Sequence, residues 1–151
     1  MAPLEVALGQ ERETVGDRAE AFKRTRAAHR DETAEDYVEA IAQVIEQRGE
    51  CRNKDLAQMF GVSHVTVVRI VRRLSECGLV VAESRRPLLL TKAGEAMARE
   101  SRRRHEVVLG FLRSIGVGKR QAEIDAEGIE HHVSDQTIRA LRRVMGRLEK
   151  D

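Results

Sequence analysis

The chain has 151 residues, of which 41% are hydrophobic and only 3% aromatic, with no Trp and two Pro. A core of aliphatic side chains and abundant helix formers predicts a mainly α protein, built as one domain or two small ones. Cys51 and Cys77 stand alone, which excludes a disulfide framework and a cysteine-rich zinc knuckle. The sequence has no secretory signal and no apolar run of membrane-spanning length, so we expect a cytoplasmic protein.

The formal net charge is only +2, but the charge is unevenly distributed along the chain. Residues 52–92 contain eight basic and three acidic side chains, whereas residues 121–135 contain five acidic side chains and no Lys or Arg. A basic segment suits a polyanion, and an acidic segment that also carries histidines suits a cation.

Residues 1–30 are polar, and we interpret them as an N-terminal extension that is partly disordered. We expect disorder over the first fifteen residues and a helix over residues 19–30. The next helix is predicted over residues 34–48, where Val38, Ile41 and Ile45 form a packing stripe that ends at Gly49. Asp36 and Glu39 point away from this stripe, so another part of the protein must face them.

Residues 53–77 have the spacing of a helix-turn-helix, with helices expected over 53–60 and 64–77. Asn53 and Ser63 are candidate N-caps, Ala57 is small where two helices cross, and Gly61 supplies the positive φ of the turn. Residues 79–83 and 88–91 then predict a two-stranded hairpin with a basic tip. The segment is therefore interpreted as a winged helix-turn-helix.

The second of these helices leaves a set of polar and basic side chains free to enter a major groove, while the hairpin tip can reach phosphate or the minor groove. The alternative is an αα-hairpin with a solvated basic face. The agreement of cap, turn, basic face and hairpin favours DNA binding. The candidate DNA contacts are Ser63, His64, Thr66, Arg69 and Arg73 on the helix and Arg85 and Arg86 at the tip.

Three further helices are predicted after the hairpin, over residues 92–115, 119–132 and from about 135 onwards. Ser134 is the candidate cap of the last helix, on which apolar residues fall in line. This line has two possible roles, a dimer contact or ordinary core, and it consists of Ile138, Leu141, Met145 and Leu148.

Residues 125–133, Asp-Ala-Glu-Gly-Ile-Glu-His-His-Val, carry Glu127, Glu130 and His131 on one helix face, with small and aliphatic residues on the other. Two carboxylates and one imidazole on one stripe form half of a site for a hard metal ion. Candidates for the other half are Asp36, Glu39 and His105. We expect His132, at the edge of this face, to support a neighbouring ligand or to face solvent.

Each candidate alone has an ordinary explanation. Acids near a helix start commonly offset the helix dipole, a histidine on an apolar face is commonly a core residue, and an acidic helix face is commonly solvated. Together, however, four carboxylates cannot be buried without compensating charge. A donor set of carboxylates and imidazoles without thiolate favours Mn²⁺ or Fe²⁺ over a tetrahedral zinc site.

The winged helix-turn-helix, the Asp36-Tyr37-Val38-Glu39 segment, Arg104-His105-Glu106 and residues 127–132 resemble the DtxR/MntR family of metal-dependent transcriptional repressors, over residues 31–150. The resemblance implies an N-terminal winged helix-turn-helix joined by a long helix to an α-helical metal-binding and dimerisation domain. The implied domains are the extension at residues 1–30, the DNA-binding domain at 31–92 and the metal-binding and dimerisation domain at 93–151.

The same resemblance implies a homodimer in which metal acts as corepressor, with two ions in each subunit and Glu39 and Glu130 as the bridging carboxylates. The iron-responsive branch places a soft Met or Cys at two ligand positions, where this chain has Asp36 and Glu130, so the resemblance favours the manganese branch. The implied ligands are Asp36, Glu39, His105, Glu127, Glu130 and His131.

The resulting hypothesis is a manganese-responsive repressor of manganese uptake genes that binds a palindromic operator and is not an enzyme. The first alternative is a repressor of the same family that responds to iron or to both ions. Two others belong to different classes: a dinuclear hydrolase or oxidase, and a metal-independent winged-helix regulator that senses a small organic ligand.

Overall fold

The computed structural model describes residues 14–148, and within this range the protein is mostly helical with one small sheet. The elements in chain order are α1 Val15–Arg48, α2 Asn53–Phe60, α3 His64–Glu76, β1 Val80–Val81, β2 Leu89–Leu90, α4 Lys92–Ser114, α5 Lys119–Ile129 and α6 Asp135–Leu148. None of these helices combines the length and the apolar character needed to cross a membrane.

Helix α1 is a single helix of 34 residues, where the sequence predicted two separate segments. No Gly or Pro interrupts residues 31–33, so the polar stretch continues the helix into the apolar stripe. Thr14 caps the helix in a reciprocal arrangement with Asp17, and Gly49 ends it with φ 84°. The expectation of disorder is therefore wrong for Thr14 and Val15, and its remainder concerns residues 1–13, which lie outside the described range.

The predicted helix-turn-helix is present, and α2 and α3 share with α1 a core that includes Val38, Ile41, Leu56 and Val67. Gly61 takes φ 64° in the turn between α2 and α3, and the Ser63 hydroxyl accepts from the amide of Thr66.

One predicted cap differs. Asn53 is the first helical residue of α2 and Arg52 is the cap residue, with the Arg52 amide donating to the Asp55 carboxylate at 2.8 Å. The side chain that stabilises the start of α2 is therefore that of Asp55, and not that of Asn53 as the sequence predicted.

The hairpin forms the expected wing, although its strands are two residues each and shorter than predicted. They are antiparallel, with Val80 opposite Leu90, and Arg85 takes φ 62° at the tip. The amide of Leu88 donates to the carbonyl of Cys51, which ties the wing to the chain before α2. The winged helix-turn-helix fold is thereby confirmed.

Helix α4 joins this unit to the C-terminal helices, because it packs against α1 as well as against α5 and α6. A second core lies at its far end and contains Val107, Val108, Ala126 and Ile138. On α6, Ile138 is buried, whereas Leu148 is exposed. The apolar line of α6 therefore contributes to this core at one end and faces outwards at the other.

Candidate metal centre

Three separate elements carry the six candidate ligands. Helix α1 carries Asp36 and Glu39, α4 carries His105, and the C-terminal end of α5 and the turn after it carry the remaining three. Helix α5 ends at Ile129, three residues earlier than predicted, so Glu130 is its C-cap residue and His131 lies in the turn. The helix end, rather than a continuous helical stripe, thus directs these two side chains towards α1 and α4.

His105, Glu127 and Glu130 form a compact group whose potential ligand atoms all lie within 4.8 Å of one another. Nδ1 of His105 is 2.5 Å from Oε2 of Glu130 and 3.6 Å from Oε1 of Glu127. One carboxylate of this group is exposed and the other is buried, since Glu130 has 3% of its surface accessible.

His131 connects this group to α1. Its Nε2 lies 3.2 Å from Oδ1 of Asp36 and 3.5 Å from Oε1 of Glu130. The two oxygens of Glu130 therefore face different imidazoles, Oε2 towards His105 and Oε1 towards His131.

Glu39 joins the same region through a cleft of about 210 Å³, which it lines together with Asp36 and Glu127. The Glu39 carboxylate also accepts a hydrogen bond of 2.8 Å from the hydroxyl of Ser101, a buried residue of α4. Contacts of 3.6 Å or less thus link five of the six predicted ligands, and Glu39 is connected to them through the cleft that it shares with Asp36 and Glu127.

The electrostatics of this region are those of crowded carboxylates that require positive charge beside them. Burial raises the pKa of Glu130 to about 7, although both neighbouring histidines lower it. Hydrogen bonding to Asp36 and to Glu35 raises the pKa of His131 to about 10, so this imidazole holds a proton among the acids. A divalent cation would supply the same compensation, and the donor set of oxygens and imidazole nitrogens fits a hard or borderline ion.

Sequence reasoning missed Glu35, whose Oε2 lies 2.7 Å from Nδ1 of His131. A carboxylate on one ring nitrogen of a histidine fixes the ring orientation and leaves the other nitrogen for a ligand. Here Nε2 is the nitrogen directed at Asp36 and Glu130. In the sequence, Glu35 is only one more acid beside Asp36, and nothing in that position predicts a contact with His131.

Arg104 and Ser101 were also assigned no role. The Arg104 guanidinium donates to the carbonyl of Glu130 at 2.9 Å, to the carbonyl of Val133, and to the Asp135 carboxylate at 2.7 Å. These bonds hold the turn that carries Glu130 and His131. Arg104 stood within a recognised motif, but its partners lie 26 or more residues away along the chain.

The candidate DNA contacts divide between two surfaces. His64, Arg85 and Arg86 line a groove of about 680 Å³ between α3 and the wing, together with Arg52, Lys54 and Arg72, which sequence reasoning did not select. Arg69 and Arg73 instead border a second cleft beside Thr33 of α1. Ser63 is exposed at the start of α3, whereas Thr66 is half-buried and contacts the Ser63 hydroxyl.

A winged helix-turn-helix with basic grooves, joined to helices that gather carboxylates and imidazoles, defines the class of metal-responsive DNA-binding regulators. The chain belongs to the iron-dependent repressor family. Residues 31–88 match the pattern described as the N-terminal DNA binding domain of iron dependent repressors, and residues 91–151 match their metal binding and dimerisation domain. The resemblance to metal-dependent repressors is thereby confirmed, and the protein is a transcriptional regulator rather than an enzyme.

Two curated relatives carry the description of a transcriptional regulator MntR. The one from Escherichia coli O6:H1 is 44% identical over 85% of this chain and 83% of its own length, and the one from Bacillus subtilis is 35% identical over 78% and 82%. A solved structure described as a manganese-dependent transcriptional repressor complex with manganese superposes with a TM-score of 0.67 at 31% identity. The superposition covers 75% of this chain and 52% of the solved chain.

Proposed function

We propose that the protein is a manganese-responsive repressor in which Mn²⁺ acts as corepressor, and that it controls genes for manganese uptake. The observation that supports this most directly is the approach of Asp36 and Glu39 on α1 to His131 and Glu127 at the end of α5. The relatives described as MntR and the manganese-bound neighbour support manganese as the ion. The site of action of such a regulator is the cytoplasm.

The proposed ligands are the six side chains that border the region between α1, α4 and α5, with two ions in each subunit. Glu130 supports a pair of ions, because its two oxygens face His105 and His131 separately. Glu39 is the second proposed bridging carboxylate, held by Ser101. Mn²⁺ held by these residues would supply the positive charge that four neighbouring carboxylates require. The proposed ligands are Asp36, Glu39, His105, Glu127, Glu130 and His131.

Helix α1 supports a coupling between this centre and DNA binding, because one of its faces packs in the DNA-binding unit and another borders the candidate metal centre. Val38 and Ile41 pack in the core of the winged helix-turn-helix, whereas Asp36 and Glu39 face the cleft beside α5. The position of α1 relative to α4 and α5 therefore sets the orientation of α3. Without cation, repulsion between the carboxylates loosens that orientation and weakens operator affinity.

We further propose a division into a DNA-binding domain at residues 31–92 and a metal-binding and dimerisation domain at residues 93–151. In a homodimer, two copies of α3 must reach major-groove faces about 34–36 Å apart, or a multiple of that distance, which requires a palindromic operator. The proposed contacts are Ser63, His64, Thr66, Arg69 and Arg73 of α3 and Arg85 and Arg86 of the wing.

The test is operator binding by the full chain in Mn²⁺ and in chelator, for the wild type, for Glu39→Ala and for His131→Ala. We expect Mn²⁺ to tighten binding at least tenfold in the wild type, and the two variants to lose this response while remaining folded dimers. Glu46→Gln is the matched control, since Glu46 also lies on α1 but pairs with Arg102 at the surface. Equal affinity of the wild type in Mn²⁺ and in chelator would contradict the proposal.

Iron is the second candidate ion, because the matched family is described as iron dependent. Asp36 and Glu130 are oxygen donors, which suit Mn²⁺ at least as well as Fe²⁺. Operator affinity in anaerobic Fe²⁺ and in Mn²⁺, each titrated on the same preparation, separates the two. A response to Fe²⁺ at lower free concentration than to Mn²⁺ would assign the protein to iron.

A further inference from the structure

A second cluster of metal-binding side chains lies outside the six proposed ligands. It consists of His29 and Glu32 on α1 and His132 in the turn after α5. Oε2 of Glu32 lies 3.2 Å from Nδ1 of His29 and 3.8 Å from Nε2 of His132. The two imidazole rings stand edge to face, with centroids 6.3 Å apart. Helix α1 and the turn after α5, which are distant in sequence, thus bring two imidazoles near one carboxylate oxygen.

The three side chains converge on Glu32, but they are more open than the group formed by His105, Glu127 and Glu130, whose ligand atoms all lie within 4.8 Å of one another. A cation with bonds of about 2.1 Å to nitrogen and oxygen holds neighbouring donor atoms about 3 to 3.5 Å apart, depending on its geometry. The contact of His29 with Glu32 falls within this range, whereas His132 must move towards both residues to share an ion with them, and its side chain is 50% exposed. His29 is also largely exposed, so an ion has access from solvent.

The helix register separates this cluster from the six ligands. His29, Glu32 and Glu35 are spaced three residues apart and therefore lie along one face of α1. Glu35 contacts Nδ1 of His131, while Glu32, one turn earlier, contacts His132. Consecutive histidines after α5 thus meet consecutive acids of α1. One pair belongs to the centre described above, and the other has no role in it.

We propose that His29, Glu32 and His132 form an additional site for a divalent cation of borderline hardness, such as Zn²⁺, Fe²⁺ or Mn²⁺. Two imidazoles and one carboxylate are a donor set that these ions accept, with water in the remaining positions. The site ties His29, which precedes the family match at residue 31, and Glu32 to the turn after α5. It goes beyond the proposed function, because none of its ligands belongs to the six.

The first test counts ions bound to the full chain after equilibrium dialysis against Zn²⁺ or Mn²⁺, by elemental analysis. We expect His29→Asn and Glu32→Gln each to bind about one ion per chain fewer than the wild type. Glu20→Gln and His64→Asn are matched controls, since Glu20 pairs with Lys23 on the same helix and His64 lies on α3. These controls are expected to keep the wild-type count.

The second test separates this site from the manganese centre. The double variant Asp36→Asn, Glu127→Gln removes two proposed ligands of the centre but none of the additional site, so it should still bind one ion that is lost when His29→Asn is added. Co²⁺ is the spectroscopic probe: its binding to the double variant should displace the NMR signals of the His29 and His132 rings. The proposal is overturned if these signals do not move, if the ion counts of His29→Asn and wild type agree, or if His29→Asn loses every ion.

Discussion

At the residue scale, Glu130 is the side chain through which the two halves of the candidate centre meet. It is buried, its two oxygens face two histidines, and its own carbonyl accepts from Arg104. A carboxylate in such a position is costly to charge, and burial accordingly raises its pKa to about 7. The precision of the site therefore depends on the groups that hold the backbone of Glu130 in place.

Arg104→Met tests this dependence. The substitution keeps an unbranched apolar stem but removes the guanidinium that the carbonyls of Glu130 and Val133 accept from. We expect the free energy of unfolding to fall by about 2 to 3 kcal/mol, as measured by urea denaturation in chelator.

Arg102→Met is the matched control for this variant. Arg102 lies on the same helix, but it is 45% exposed and pairs with Glu46 at 3.4 Å, so its loss should change stability by less than about 1 kcal/mol. Equal losses in the two variants would show that the turn after α5 does not depend on Arg104.

At the element scale, α1 determines most of what is specific to this protein. One continuous helix carries the core face of the DNA-binding unit, the acids of the candidate metal centre and, further towards its N-terminus, His29 and Glu32. Helix α4 is the second connecting element, because it contacts α1 and both C-terminal helices. The first turn of α4 also lies close to the base of the wing.

Gly94 permits that close approach at the start of α4. A Cβ at this position would lie 2.1 Å from the carbonyl oxygen of Leu79, which is backbone and cannot rotate away. We expect Gly94→Ala to lower the free energy of unfolding by about 2 kcal/mol or more, because the base of the wing must shift.

The comparison variant is Gly128→Ala, since a Cβ at Gly128 meets no atom within 4 Å. A helical Gly replaced by Ala in open space should gain about 0.5 to 1 kcal/mol. Thermal denaturation of both variants in chelator measures the difference. The packing argument is wrong if Gly94→Ala is as stable as the wild type.

At the scale of the whole molecule, the charge within the candidate centre makes the stability of the metal-free protein depend on pH. Glu130 has its pKa raised from 4.5 to about 7, so folding is disfavoured increasingly as pH rises through this interval. His131 has its pKa raised from 6.5 to about 10, so the stability that its proton provides below pH 6.5 is lost as pH rises towards 10. Both groups act in the same direction.

We therefore expect the free energy of unfolding in chelator to fall by on the order of 2 kcal/mol between pH 5.5 and pH 8.5. Mn²⁺ should stabilise the protein more at pH 8.5 than at pH 5.5, because the ligands release protons when they bind metal. Urea denaturation at both values, with and without Mn²⁺, measures the two effects. Glu35→Gln should make stability depend less on pH above pH 6.5, since Glu35 helps to raise the pKa of His131. A free energy of unfolding that increases with pH in chelator would contradict the pKa shifts of Glu130 and His131.

Much of this protein follows from local sequence. The Ser63 cap, the Gly61 turn and the apolar spacing of α3 fix the helix-turn-helix, because caps, turns and periodicity involve residues within a few positions of one another. The chemical type of the donors likewise indicates a hard or borderline cation without any coordinates.

Tertiary structure alone decided which donors meet. Glu35 and His131 are 96 residues apart, Glu39 and Ser101 are 62 apart, and no periodicity relates positions so distant. The continuation of α1 through residues 31–33 and the end of α5 at Ile129 set these pairings, since a helix carries its side chains at a fixed angle and rise for its whole length. The sequence thus determined the local elements and the chemical type of the donors, whereas the packing of α1 against α4 and α5 determined the arrangement of the side chains proposed to bind metal.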